Sequence, residues 1–209
     1  MPPLGAEIEA PGRFGDDTRQ VTTAGSEQEP PEPSSSDPID RVRFTARLRL
    51  EPVALHHADD LWLLHQHPAV AEWHGGPWTR EGTRQRVELW SEGWRSGSIH
   101  KWVAYARESG ELVGRGGASV QPVDGAERIE IGWTVRAELW GRGYATEIGR
   151  AALDLAFDEL GVDEVVAFTE PSNARSRAVM ERLAMSYRRE IDIDGVAFVL
   201  YGLARRLSP

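Results

Sequence analysis

Eight consecutive residues, Trp140-Gly141-Arg142-Gly143-Tyr144-Ala145-Thr146-Glu147, have the types and order of an anion-binding turn. They lie between an apolar strand-like run, Ile129 to Val135, and a helical run, Ala145 to Leu160. A chain that passes from strand through glycines into helix presents unpaired backbone N–H groups at the positive end of the helix dipole. Glycine lets that backbone approach a ligand closely, and a phosphate suits the charge. The pattern is not the phosphate loop of nucleotide hydrolases, because no Gly-Lys-Ser/Thr follows. Nor is it Gly-x-Gly-x-x-Gly, because Ala145 and Thr146 follow Gly143 with no third glycine in place. The same turn could use its glycines for packing alone.

Composition narrows the rest. A chain of 209 residues with 40% apolar content suggests one globular domain plus a little extra. No apolar run is long enough for a membrane span, and the N-terminus lacks a signal-peptide pattern, so a cytoplasmic location is the default expectation. The absence of cysteine excludes disulfides, thiolate metal sites and a cysteine nucleophile. The six histidines are scattered without metal-ligand spacing, so no metal is expected; His56, His57, His65 and His67 read as solvated or capping. The formal charge of −9 belongs mostly to residues 1–40, which hold nine acids against two arginines. The remaining 24 acids and 22 bases nearly balance, leaving no basic excess to hold nucleic acid. That first segment also carries seven of the thirteen prolines and one aromatic residue, Phe14. It is expected to be a disordered acidic tail, with the domain spanning 41–209.

The elements that must position the turn follow from pattern. Arg47 to Glu51 alternates as a strand that Pro52 ends, and Val42-Arg43-Phe44 could add an edge. His56 to His65 reads as a short helix stopped by Pro68, with Leu61, Trp62 and Leu64 inward. Ala71 to Trp78 reads as a loop rich in aromatics and glycine. Thr79 is a candidate N-cap for a helix to about Trp94, which Gly97 closes. Lys101–Arg107 and Glu111–Val120 pair around Ser109-Gly110, with Gly114-Arg115-Gly116-Gly117 read as a bulge or a close-packing site. Asp124-Gly125 turns the chain into the strand that feeds the glycine turn. Val165 to Thr169 is continuously apolar and reads as a central strand buried on both faces. A helix from Ala174 to about Leu183 and a hairpin around Asp194-Gly195 complete the domain.

From about Arg47 to Leu203 this chain resembles the GCN5-related N-acetyltransferase (GNAT) family, closest to its ribosomal-protein N-terminal acetyltransferase-like (RimJ/RimL-like) branch. Three blocks carry the resemblance in the right order and spacing. They are Glu130-Ile131-Gly132-Trp133, the turn from Trp140 to Glu147, and Asn173-Ala174-Arg175-Ser176 with Val179-Met180-Glu181-Arg182-Leu183. The resemblance implies an α/β (α+β) GNAT fold: a mixed, mostly antiparallel sheet of about seven strands, splayed between the fourth and fifth, flanked by about four helices.

It also implies a chemistry. Acetyl-coenzyme A would be the donor, its pyrophosphate on the backbone N–H groups between Gly141 and Thr146, chiefly Arg142, Gly143, Tyr144 and Ala145. The pantetheine arm would add beside the fourth strand at Trp133 and Val135, where a backbone N–H near Val135 could serve as an oxyanion donor. Asn173 matches the family's side-chain contact to the pantetheine; an asparagine before a helix is also a common cap. Glu130 is the candidate base for the acceptor amine, with His74 and Glu72 as lesser candidates. Its structural alternative is a carboxylate paired with Arg128 or Arg115. Ser176 is the candidate to protonate or position the departing sulfur, because Met180 stands where many members carry a tyrosine. Ala184 replaces the glycine that usually ends this helix, which implies a helix end that avoids the left-handed conformation. Trp73, His74 and Trp78 are the expected acceptor-site residues, with Glu130. The acceptor reads as a protein N-terminus or a small amine; a longer acyl donor, or a non-catalytic acyl-coenzyme A sensor, is the alternative. Dimers are common in such families, although the oligomeric state cannot be read from sequence.

Overall fold

The computed structural model describes residues 42–96, 99–123 and 125–205. The acidic tail, the helix end at Gly97 and the Asp124 half of the Asp124-Gly125 turn lie outside the described residues. Eight strands form one sheet in the order β1-β2-β3-β4-β5-β6-β8-β7. They are β1 (Arg43–Phe44), β2 (Leu48–Pro52), β3 (Ile99–Ala106), β4 (Leu112–Val123), β5 (Ala126–Val135), β6 (Glu164–Thr169), β7 (Ser186–Ile193) and β8 (Val196–Ala204). The eighth strand, relative to the seven expected, is the short edge pair at Arg43 and Phe44. Every neighbouring pair is antiparallel except β5 and β6, which are parallel and share a single registered pair, Glu130 with Val166.

Each face of the sheet carries its own core. Cross-strand partners share a face, and so do residues i and i+2. Leu50, Ala104, Trp102, Ala118 and Ile131 bury against α4 (Tyr144–Asp154), whose apolar stripe includes Ile148 and Ala152. The glycines of β4 make that contact close: a Cβ on Gly116 would press into Ile148, and one on Gly114 into the backbone of Thr134. They act by packing, and a bulge adjoins them as well: Ala104 pairs with Gly114 and Tyr105 with Leu112, so Val113 is the extra residue on β4. On the opposite face Val103 packs with Leu61 and Leu64 of α1 (Ala58–Leu64) and with Val87 and Trp90 of α3 (Arg80–Ser96).

Local chemistry explains the helix boundaries. The Thr79 hydroxyl accepts from Gly82 N–H at 3.0 Å and caps α3. Pro68 opens a helix rather than only ending one. It is the first residue of α2 (Pro68–Ala71), where its missing N–H costs nothing, and His67 Nδ1 accepts from Ala69 N–H. A 3-10 turn, Glu72–His74, then runs to Gly75 at φ 71°. After Asp154 the α4 ladder widens into a π-helical turn, Leu155–Glu159, which Gly161 ends at φ 67°. The β7–β8 hairpin has Asp194 at φ 51° and Gly195 at φ 82°, the two positive values a type I′ turn needs. Among the described residues no helix is long and apolar enough to cross a membrane.

One expectation fails at the end of α5 (Ala174–Arg182). Ala184 lies in the left-handed region at φ 62°. The reason is a complete Schellman closure: Met185 N–H reaches Met180 C=O at 3.0 Å and Ala184 N–H reaches Glu181 C=O at 2.9 Å. Met180 and Met185 are both buried, so the closure is locked from inside and the alanine accepts the strain.

Candidate active site

Because β5 and β6 meet at one pair only, they diverge from Glu130 onward. A cavity of about 600 Å³ occupies the divergence. Its back wall is β5 from Glu130 to Val135; the Leu139–Thr146 segment and the start of α5 form its sides. Val70, Trp73 and His74 close one mouth together with Phe168 and Phe198.

The glycine turn is built as its sequence suggests. Gly141 and Gly143 have φ of 77° and 81°, conformations that side-chain-bearing residues rarely adopt. Gly143 is the N-cap of α4, and no side chain closes that end. A Cβ at Gly141 would meet nothing within 4 Å, so the backbone there faces open space. Neighbouring groups brace the turn. Trp140 Nε1–H donates to Val135 C=O at 2.8 Å, and the Arg175 guanidinium lies 4.8 Å from the Trp140 ring. Behind the turn, Glu147 accepts from Thr45 Oγ1 at 2.6 Å, Arg47 N–H at 2.8 Å and Arg47 Nε at 2.7 Å. Arg47 also donates to Arg142 C=O at 2.9 Å. Burial acts to raise the Glu147 pKa, but the Thr45 and Arg47 hydrogen bonds overcome it and hold the carboxyl below its usual value.

Most of the residues predicted for the site line this one cavity: Glu130, Trp133, Val135, Gly141, Gly143, Tyr144, Ala145, Thr146, Asn173, Ser176, Trp73 and His74. Two do not. Arg142 is exposed outside the lining, with its carbonyl turned to Arg47. Trp78, expected at the acceptor wall, is a core residue instead. It is 7% exposed and stacks on His65 with ring centroids 3.4 Å apart. His65 departs from the solvated half of its expectation and meets the capping half: it is fully buried and is the C-cap of α1. Its Nδ1 faces Leu61 C=O at 2.9 Å and so carries the proton, leaving Nε2 to accept from Arg115 Nε at 3.4 Å. For His65 the available signal was its spacing of four from Leu61; Trp78 lies outside any helix and gave none. Asn173 does act as the cap of α5, its Oδ1 accepting from Ser176 N–H at 3.1 Å. That bond uses the carbonyl oxygen of a residue that lines the cavity. Met180, at the tyrosine position, is buried against the cavity wall.

Glu130 is 7% exposed, and a lysine is among its partners. Arg128 bonds Glu164, and Arg115 bonds His65. Lys101 Nζ from β3 donates to Glu130 Oε2 at 3.2 Å, and Ser119 Oγ donates to the same oxygen at 3.4 Å. Sequence reasoning missed both. The available signal was a lysine two residues before Val103, at an inward position of a central strand. His74 Nε2 lies 3.0 Å from Thr134 Oγ1 beside the cavity. Away from it, Glu51, His56 and His57 bring ligand-type atoms within 4.8 Å of one another, a proximity that sequence spacing did not suggest. There His57 Nδ1 accepts from Ala54 N–H at 3.0 Å, so Nε2 holds the proton and faces Glu51 at 3.3 Å.

A family model described as Acetyltransferase (GNAT) domain matches residues 47–186. The chain belongs to the GNAT acetyltransferase family. The match spans β2 to β6, the glycine turn and α5. This GNAT chain is 32% identical over 129 residues to YkkB of Bacillus subtilis (strain 168), covering 62% of this chain and 75% of that protein. It is 32% identical over 153 residues to the FsC-acetyl coenzyme A-N(2)-transacetylase of Aspergillus fumigatus, covering 68% of this chain and 64% of that enzyme. Among solved structures, one named as a GnaT-family acetyltransferase from Bordetella pertussis superposes with a TM-score of 0.69. Its identity is 25%, over 78% of this chain and 99% of that one. Members of the GNAT family transfer an acetyl group from acetyl-coenzyme A to an amine.

Proposed function

We propose that this protein acetylates a primary amine, a peptide N-terminus or a small-molecule amine, by direct attack on acetyl-coenzyme A in a ternary complex. The observation that carries the reading is the single β5–β6 pair. It leaves the edge of β5 from Ile131 to Val135 unpaired beside the glycine turn, with Glu130 at the inner end. Unpaired strand amides suit the pantetheine's own amides. The open helix start at Gly143 suits a diphosphate. Asn173 would add an amide contact, and Trp133 and Val135 would flank the arm.

The residues fit the steps of acyl transfer. An alkylammonium has a pKa near ~10 and must lose a proton before it attacks. Glu130 takes that proton, through water where the distance requires it. The amine nitrogen then adds to the thioester carbonyl, and a β5 backbone N–H near Val135 stabilises the oxyanion. Collapse breaks the carbon–sulfur bond, and Ser176 supplies or positions a proton for the thiolate. The acceptor enters between Trp73, His74 and the Phe168–Phe198 pair.

Thiol release from acetyl-coenzyme A, with a panel of amines and short peptides, tests the reading. Turnover on an amine is expected. Glu130→Gln lowers kcat by about 10²-fold or more while leaving coenzyme A affinity nearly unchanged; equal loss of both removes Glu130 as base. Met180 favours a second reading, because it leaves that place on α5 without a hydroxyl donor. On this reading the protein is an acyl-coenzyme A sensor. Stabilisation by coenzyme A without turnover of acetyl- or longer acyl-coenzyme A on any amine would support it.

A further inference from the structure

We infer that Lys101 is the positioning residue for the base: it holds the Glu130 carboxylate ionised and aimed, across a lane of two glycines. The inference rests on the acyl-transfer reading of the site. Lys101 pairs in register with Gly117 on β4, and Gly117 pairs with Gly132 on β5. Three directly opposed residues share one face of the sheet, and two of them have no side chain. β3 and β5 are two strand spacings apart, about 10 Å. A side chain at position 117 or 132 would stand in the gap. Without one, the lysine crosses β4 and the glutamate folds back along its own strand. A Cβ on Gly132 would lie 2.7 Å from Glu130 Oε1, so the carboxylate occupies the space that a side chain there would take. Ser119, the cross-strand partner of Glu130, donates to the same Oε2 that Lys101 holds.

The pair is buried, with side-chain exposures of 2% for Lys101 and 10% for Glu130. Burial by itself favours a neutral carboxylic acid, which cannot accept a proton. The adjacent ammonium opposes that preference and fixes Oε2. Other ionisable groups also stand on or beside this face. Arg115 bonds His65, His74 meets Thr134, and Arg128 bonds Glu164 of β6.

Lys101→Met in the full chain removes the charge and keeps the length. The expected result is at least about a tenfold loss in kcat/KM at neutral pH. The acid limb of the pH profile should move up by about one unit or more, because the uncompensated carboxyl stays protonated to higher pH. Coenzyme A affinity should change by less than about threefold. Lys101→Arg should recover part of the activity. In a Glu130→Gln background, Lys101→Met should cost nothing further, which a merely structural lysine would not reproduce. Should Lys101→Met fail to fold, Lys101→Gln serves, since it keeps a polar donor at that position and removes the charge; its kcat should fall and its acid limb move up with coenzyme A affinity intact. A ¹³C NMR titration of the Glu130 carboxyl, wild type against Lys101→Met, needs no acceptor. It separates failure of this inference from failure to find an amine. An unchanged Glu130 titration and an unshifted acid limb would overturn the role of Lys101.

Discussion

Glu130 stands opposite Val166, and this is the one registered pair between β5 and β6. The residue proposed as base thus sits at the vertex where the sheet stops being continuous. Five residues of β5 past it, Ile131 to Val135, keep β4 on one side and face the cavity on the other. The glycine turn lies at the far end of that run. One topological event therefore sets the distance between the diphosphate grip and the base.

The grip predicts a charge effect. Gly143→Asp places a carboxylate at the helix start at a left-handed position that aspartate tolerates better than most residues. Coenzyme A binding by calorimetry should weaken by about 10²-fold or more, since like charges in a close site cost several kcal/mol. The fold should survive. Unchanged affinity would mean that the phosphates bind elsewhere.

The tryptophans divide by place. Trp78→Ala should lower stability by about 3–5 kcal/mol in urea denaturation, because it empties a core site between His65 and Trp90. Trp73→Ala should raise the acceptor KM with stability changed by less than about 1 kcal/mol. The reverse pattern would return Trp78 to the acceptor wall.

Acid should unfold the protein in two windows. Burial, with repulsion from His56, lowers the His57 pKa from 6.5 against the opposing pull of Glu51. The unfolded chain takes up that proton first, so stability falls as pH drops below about 6.5. Glu147 has a folded pKa below its unfolded value of 4.5. Its contribution is present above 4.5 and is lost as pH falls through the lowered value. Glu147→Gln should cost on the order of 1–2 kcal/mol at pH 7 and remove the second window. Urea midpoints between pH 7 and pH 3 measure both; a single unaltered transition in the variant would contradict the assignment.

Ala184 offers a gain. A left-handed alanine costs about 1–2 kcal/mol, and glycine avoids most of that at some entropic cost in the unfolded chain. Ala184→Gly should raise stability by roughly 0.5–1 kcal/mol by urea midpoint, with turnover unchanged. A loss of stability would mean that the alanine methyl packs better than its φ of 62° suggests.

Local rules made much of this legible. Alternation gave β2, the Ser109-Gly110 turn gave the pairing of β3 with β4, the Asp194-Gly195 pair gave the last hairpin, and Thr79 gave the start of α3. The turn from Trp140 to Glu147 was readable because it needs only neighbouring residues. The illegible parts are those that depend on register. Lys101 precedes Glu130 by 29 residues and reaches it only because two glycines line up between them. Trp73 and Trp78 flank the same glycine pair, and only packing on His65 tells core from cleft. Ala184 turned left-handed because two Schellman bonds and buried methionines outweigh an intrinsic preference.

The most direct test of the account is a crystal structure of the protein with coenzyme A. The diphosphate should lie on the backbone N–H groups between Gly141 and Ala145, with the pantetheine amides alongside β5 from Ile131 to Val135 and the sulfur toward Glu130. Coenzyme A bound elsewhere, with the β5 edge and the glycine turn untouched, would contradict it.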